Sequence, residues 1–199
     1  MLSSDFFYHY TSPQKLRDIF SKNAEHTSYG QTGLIPIKRF IPFGQASKVQ
    51  VPDKAFSGAI FGLLSPIPQE WINNFWGDTE QSVLEDVLNY IRQDGKFALL
   101  KVHTCLDDDI HIADWGVHFN SEFNGTRESP EHIVHAVKKN YWDSLIPFFN
   151  YETHTHHRIP EVICFDRIPP KRIEIVEYIT NNEMKDRIAS AKRTLTPNN

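Results

Sequence analysis

Phe6-Phe7-Tyr8-His9-Tyr10-Thr11-Ser12-Pro13 opens the chain and decides how the rest of it is read. The aromatic run at 6–10 suits a short strand, since aromatic side chains fit a pleated, half-buried surface. Ser12-Pro13 reads as a helix start, a hydroxyl cap followed by proline at the first helical position. Leu16, Ile19 and Phe20 follow at helical spacing, so the pattern predicts a helix over 13–21. A polar His9 and Thr11 therefore stand at a strand end, just ahead of a capped helix. Far along the chain, Ile159-Pro160-Glu161-Val162-Ile163 sets a lone carboxylate at the mouth of an apolar strand.

Working outward, 23–50 holds Gly30, Gly33, Pro36, Pro42 and Gly44 and reads as a long ordered loop, a kind often functional inside compact domains. The apolar stretch 56–64 contains two glycines and reads as a buried strand with a close backbone approach. Pro66 and Pro68 open a short helix to about residue 75. Thr79 is the expected cap of a clearer helix, whose stripe Val83, Leu84, Val87, Leu88 and Ile91 ends at Gly95. Strands are expected at 97–102 and 110–115, then a loop over 116–125. Ser129-Pro130 starts a helix with Ile133, Val134 and Val137 on one face, followed by a further helical stretch over 142–149. After the His-rich loop 151–158 come strands at 162–165 and 172–179, a last short helix capped by Asn181 or Asn182, and a frayed tail at 193–199. Strands and helices interleave irregularly and no linker or repeat divides them. The expectation is an α+β fold in a single domain over 1–199.

Bulk properties narrow the function classes. A chain of 199 residues supports one domain with a real core, or at most two small ones. With 40% hydrophobic and 23% charged residues it reads as an ordinary globular protein, and the 13% aromatic share suits a β-rich core or ring-stacking pockets. A net charge of −4 excludes a basic nucleic-acid coat protein, although 167–171 and 185–193 are locally basic. Two cysteines, Cys105 and Cys164, both in or beside apolar runs, read as buried free thiols of a reducing compartment. Residues 1–11 carry no secretory pattern, and no run approaches the roughly 20 apolar residues of a membrane span. The expected site of action is cytoplasmic, without membrane contact; delivery into another cell by a dedicated machine leaves the same signature. No Gly-rich phosphate loop of the dinucleotide-fold or Walker type is present.

Tyr8-His9-Tyr10-Thr11-Ser12-Pro13, with Leu16 and Ile19, resembles the opening of ADP-ribosyltransferases of the His-Tyr-Glu class, most of all DarT-like toxins and their effector relatives. Arg158-Ile159-Pro160-Glu161-Val162-Ile163-Cys164-Phe165, running into Asp166-Arg167-Ile168-Pro169-Pro170, resembles their last motif. The resemblance implies a split mixed β-sheet core with flanking helices. It implies that NAD is the substrate and that no metal takes part. By position, the His9 imidazole bonds a ribose hydroxyl, the Tyr10 backbone holds the nicotinamide carboxamide, and Thr11 supports them. Glu161 is the implied catalytic residue, its carboxylate stabilising the cation left as nicotinamide departs. The aromatic that stacks on nicotinamide falls first on Phe61, then on Phe56, and less well on Tyr29. Arg39, in Pro36-Ile37-Lys38-Arg39-Phe40, is the implied phosphate-binding residue.

The position two before Glu161, acidic in transferases that modify arginine, is Ile159 here. That favours a nucleic-acid base or a non-arginine side chain as acceptor. Tyr151, His154, His156 and His157 fall in the implied target-recognition loop, where rings stack on a base or bond a side chain. These histidines lack the third and fourth well-placed ligands of a zinc site, so a metal is disfavoured. Asp107-Asp108-Asp109 reads as a solvated turn, and Asp114-Trp115 as structural. The sequence thus points to an NAD-dependent mono-ADP-ribosyltransferase, a toxin or effector acting on DNA, RNA or protein and held in check by a cognate antitoxin. Two alternatives stay open: a non-catalytic binding or adaptor module, and an RNA 2'-phosphotransferase-like enzyme.

Overall fold

The chain was analysed as a computed structural model that describes residues 5–23, 25, 31–36, 58–75, 81–91, 95–119, 129–151 and 156–193. In chain order the elements are β1 (Phe6–Thr11), α1 (Lys15–Phe20), β2 (Ile60–Gly62), α2 (Gln69–Ile72), α3 (Val83–Ile91), β3 (Lys96–His103), β4 (Ile110–Asp114), α4 (Glu131–Asp143), β5 (Ile146–Pro147), β6 (Pro160–Cys164), β7 (Ile173–Thr180) and α5 (Asn181–Arg193). Short 3-10 turns lie at Trp115–Phe119, Phe148–Asn150 and Pro170–Arg172. The fold is α+β. Every described strand pairing is antiparallel, where the expectation was a mixed sheet. The chain divides into two compact units, one drawn from Phe6–Leu34, Leu63–His103 and Ile168–Asn199, the other from Met1–Asp5, Ile35–Gly62 and Thr104–Arg167.

The first unit is built on a three-stranded sheet in the order β1-β3-β7. Phe97, Ala98, Leu99, Leu100 and Val102 of the middle strand are all buried, so β3 is a continuous apolar run rather than an alternating one. The edge strand β7 leaves Ile175, Val176 and Tyr178 exposed. Its register slips between the pairs Leu99↔Glu177 and Leu100↔Ile175, so Val176 is the extra residue of a β-bulge.

Helix ends in this unit follow capping chemistry, not always at the residues expected. Before α1, the Lys15 amide donates to the Ser12 hydroxyl and carbonyl, and the helix proper starts two residues later than read. The cap of α3 is Ser82 in place of Thr79, which lies outside the described residues. The Ser82 amide and hydroxyl donate to the Glu85 carboxylate at 2.8 and 2.7 Å, while the Glu85 amide returns a bond to the Ser82 oxygen. Thr180 and Glu183 repeat this capping box ahead of α5, so Thr180, not Asn181 or Asn182, is the cap, and the helix runs 13 residues.

The second unit carries a four-stranded sheet in the order β2-β6-β4-β5. All five residues of β6 are buried, flanked by β2 on one side and β4 on the other. Helix α4 turns Ile133, Val134, Val137, Lys138, Tyr141 and Trp142 inward, a stripe at helical spacing. The helix stops at Asp143, and the expected helical stretch 142–149 is instead β5 and a 3-10 turn. Pro147 explains this, since it has no amide to donate and disfavours a helical Ile146 before it. Of the strand read over 56–64, Ile60–Gly62 forms β2, Leu63 exchanges both backbone bonds with Tyr8, and 56 and 57 lie outside the described residues. Cys164 is a buried free thiol, as expected, but Cys105 is exposed. Among the described residues no helix is long and apolar enough to cross a membrane.

Gly33 shows how tightly the first unit is closed. Its amide donates to the Ile19 carbonyl at 2.8 Å, and the next residue, Leu34, exchanges backbone bonds with Ile168. Its φ of 89° lies in the left-handed region, and a Cβ there would meet the Ile168 carbonyl oxygen at 2.2 Å. Gly33→Ala is expected to cost about 2 kcal/mol or more, combining overpacking with an unfavourable backbone angle. Urea unfolding followed by tryptophan fluorescence measures it.

Candidate functional site

The two sequence motifs fall in different units, and each is described in its own. In the first unit, β1 pairs with β3 so that His9 faces Leu100 and Thr11 faces Ala98. Tyr8 gives both its backbone bonds to Leu63, at 2.9 and 2.8 Å. Its peptide groups therefore point away from β3. Because these directions alternate along an antiparallel strand, those of Tyr10 point to the same edge as those of Tyr8. The Tyr10 ring is buried, edge-on to Phe97, and its hydroxyl donates to the Pro66 carbonyl at 2.8 Å. Burial raises this hydroxyl well above the usual tyrosine range. Thr11 is buried, and His9 is half-buried on the face it shares with Phe7 and Thr11.

In the second unit, Glu161 pairs with Ala113 across β4, and Phe61 pairs with Ile163 across β2. Glu161 and Ile163 are two residues apart on one strand, so Phe61 and Glu161 share a sheet face. Glu161 is buried, 6% exposed. The Tyr141 hydroxyl donates to its Oε2 at 2.6 Å. Tyr141 is itself fully buried, with its ring edge-on to Trp115, His118 and Trp142. Trp115 and His118 stack at 4.1 Å. Loss of water pushes the Glu161 carboxyl up to about 8, against the smaller opposing effect of the Tyr141 hydrogen bond. The same burial, with the carboxyl beside it, drives the Tyr141 hydroxyl well above its ordinary value. His118 moves the other way, down to about 4, because burial outweighs the bond between its Nδ1 and the Trp115 carbonyl. At neutral pH the site is therefore an uncharged cluster of acid, phenol and imidazole.

Backbone ties hold this cluster in place. Asp114 Oδ1 accepts from the Gly116 amide at 2.8 Å and from the Ile159 amide at 2.9 Å, and the Trp115 amide donates to the Ile159 carbonyl. A Cβ on Gly116 would meet the Arg158 Cβ at 2.4 Å, so only glycine admits this approach. The Ser144 hydroxyl accepts from the Asp114 amide and donates to the Tyr141 carbonyl, tying the end of β4 to the end of α4. Asp114 is thus structural, as read from the sequence. Ile159 is fully buried.

Of the implied target-loop residues, His156 is exposed. Tyr151 is 3% exposed and packs against the His157 ring at 5.3 Å, so burial leaves its ring no face for a target. His157 Nε2 bonds the Ser144 carbonyl at 2.9 Å. His157 is half-buried. Arg39 and His154, like Phe56 and Tyr29, lie outside the described residues. Among the described residues no group of three or more His, Cys, Asp or Glu is placed to hold a metal. The sequence reading passed over Tyr141. Tyr141 continues the α4 stripe four residues after Val137, which marks it as inward-facing, but its contact with Glu161 depends on tertiary register. No protein-family model, curated protein or solved structure matches the chain.

The titration has a sign that can be checked. Glu161 rises from 4.5 to about 8, so the folded chain keeps a proton that the unfolded chain has released. Its contribution to stability is complete below pH 4.5 and is lost as pH rises through 8. His118 falls from 6.5 to about 4 and contributes with the opposite sign, its stability lost as pH falls through that window. Between about pH 6.5 and 8 the Glu161 effect acts without that offset. Stability is expected to fall over this range by an amount on the order of a few kcal/mol. Glu161→Gln should flatten the fall, as read by urea unfolding at each pH.

Proposed function

We propose that the chain is an NAD-dependent mono-ADP-ribosyltransferase acting as a toxin or effector, with a nucleic-acid base or a non-arginine side chain as acceptor. The observation that carries this reading is the Glu161 carboxyl. It sits on a middle strand, stripped of water and held by one hydroxyl, and a titratable group perturbed in this way marks a candidate functional site. A carboxylate in a water-poor setting stabilises positive charge strongly, which suits the departure of nicotinamide. In the proposed reaction the bond between nicotinamide and the ribose breaks, and nicotinamide leaves with the bonding pair. The acceptor nucleophile then bonds the ribose carbon and releases a proton.

The geometry of β1 agrees with its proposed role. A backbone N–H and C=O turned to a strand edge at Tyr10 offer one donor and one acceptor, the complement of a carboxamide. His9, next to it, offers the same pair of functions to a ribose diol. On the other sheet, Phe61 shares the face of Glu161, where a ring can stack on nicotinamide. Arg39 keeps its proposed phosphate role, and Ile159 withholds the second carboxylate that an arginine acceptor calls for.

One observation favours a second reading. A carboxyl 6% exposed and raised to about 8 is protonated at neutral pH, as a purely structural acid would be. On that reading the chain is a binding or adaptor module. Nicotinamide release from labelled NAD separates the two, measured with and without lysate. The enzyme reading expects release by wild type and at least a hundredfold loss in Glu161→Ala. Absence of release from folded wild type would sink it, and release untouched by Glu161→Ala would sink the site. His9→Ala is expected to raise KM for NAD about tenfold, one lost hydrogen bond, while Tm moves little. A large loss of Tm would mark His9 as a core residue instead.

A further inference from the structure

The Tyr141 hydroxyl on α4 donates to Glu161 Oε2 at 2.6 Å. The donor cannot swing away freely, because the Tyr141 ring is fully buried with Trp115, His118 and Trp142 edge-on around it. A hydroxyl donor bonds an ionised carboxylate about twice as strongly as a neutral carboxyl, so a fixed donor favours the charged form. We propose that Tyr141 is a positioning residue whose fixed hydroxyl favours the ionised form of the Glu161 carboxyl that NAD cleavage requires. The inference rests on the ADP-ribosyltransferase reading for its catalytic half, while the link between hydroxyl and carboxyl stands on the geometry.

Other titratable groups lie on the elements packed around β6, and those of β4 have partners of their own. On β4, His111 bonds Asp109 at 2.8 Å and Asp114 takes the Gly116 and Ile159 amides. In the following turn His118 bonds the Trp115 carbonyl. Lys138 is buried on α4, one turn before Tyr141, and burial lowers its amine below the usual lysine value. The described part of β2, Ile60-Phe61-Gly62, has no titratable side chain. Among the described residues the Tyr141 hydroxyl is the side-chain hydrogen-bond partner of the Glu161 carboxyl.

The test is the pH profile of nicotinamide release by wild type and Tyr141→Phe, which removes one oxygen and keeps the ring. At about pH 7 the variant is expected to lose roughly ten- to a hundredfold in kcat, matching one charge-assisted hydrogen bond. At about pH 9.5 the gap should close to within roughly threefold, with KM for NAD unchanged, since ionisation is then supplied by the solvent. A uniform loss at every pH, or no loss, would overturn the proposal. Placing 3-fluorotyrosine at 141, a stronger donor of nearly the same size, should move the profile to lower pH and covers the case in which Tyr141→Phe does not fold. If wild type releases no nicotinamide, the functional reading fails separately. A carbon-13 titration of the Glu161 carboxyl then decides the remaining half: a midpoint higher in Tyr141→Phe, or lower with 3-fluorotyrosine, supports the link, and an unmoved midpoint removes it.

Discussion

The hydrogen bond from the Tyr141 hydroxyl to the Glu161 carboxyl is the contact around which the second unit is organised. A carboxyl on a strand with neighbours on both sides must find a donor or give up its charge. Here it does some of each: it accepts one bond and is held near a neutral state at physiological pH. The buried stripe of α4, which includes Tyr141 and Trp142, brings that hydroxyl to the carboxyl. The ties from Asp114 and Ser144 fix the end of β4 against the end of α4.

Much of the fold was legible from periodicity. Ile133, Val134 and Val137 do share one face of α4, and the strand expected over 97–102 lies within β3. The misses were local. Ser82-Val83-Leu84-Glu85 contains a capping box that the reading overlooked, because Thr79 also precedes the apolar stripe. The stretch after Asp143 is not the expected helix, and Pro147 accounts for that. Two antiparallel sheets in place of a mixed one could not be read at all, since strand direction depends on pairings that join distant segments.

The site was legible in part. Glu161 and Phe61 were named from sequence, and they do share a face of one sheet. Tyr10 was named for its backbone, and the pairing of Tyr8 with Leu63 turns that backbone to the strand edge. What escaped was burial. A single acidic residue before an apolar run gives no sign of whether water reaches it, and Glu161 is enclosed. For the same reason the sequence does not show that Tyr151 packs on His157 or that His157 bonds the Ser144 carbonyl. Their ring chemistry was visible in the sequence; their partners were not.

Enclosure of the carboxyl gives the proposed chemistry its character. On the proposed reading, the Tyr141 hydroxyl offsets part of the burial that keeps the acid neutral, so cleavage of NAD would depend on one hydrogen bond. The claim that matters most is still the transfer itself. Mass spectrometry of lysate nucleic acid and protein, after reaction with NAD and the folded chain, tests it directly. The account expects an added ADP-ribose group on a base or a non-arginine side chain, present with wild type and missing with Glu161→Ala. Lysate unchanged by wild type, or modified equally by both proteins, would contradict it.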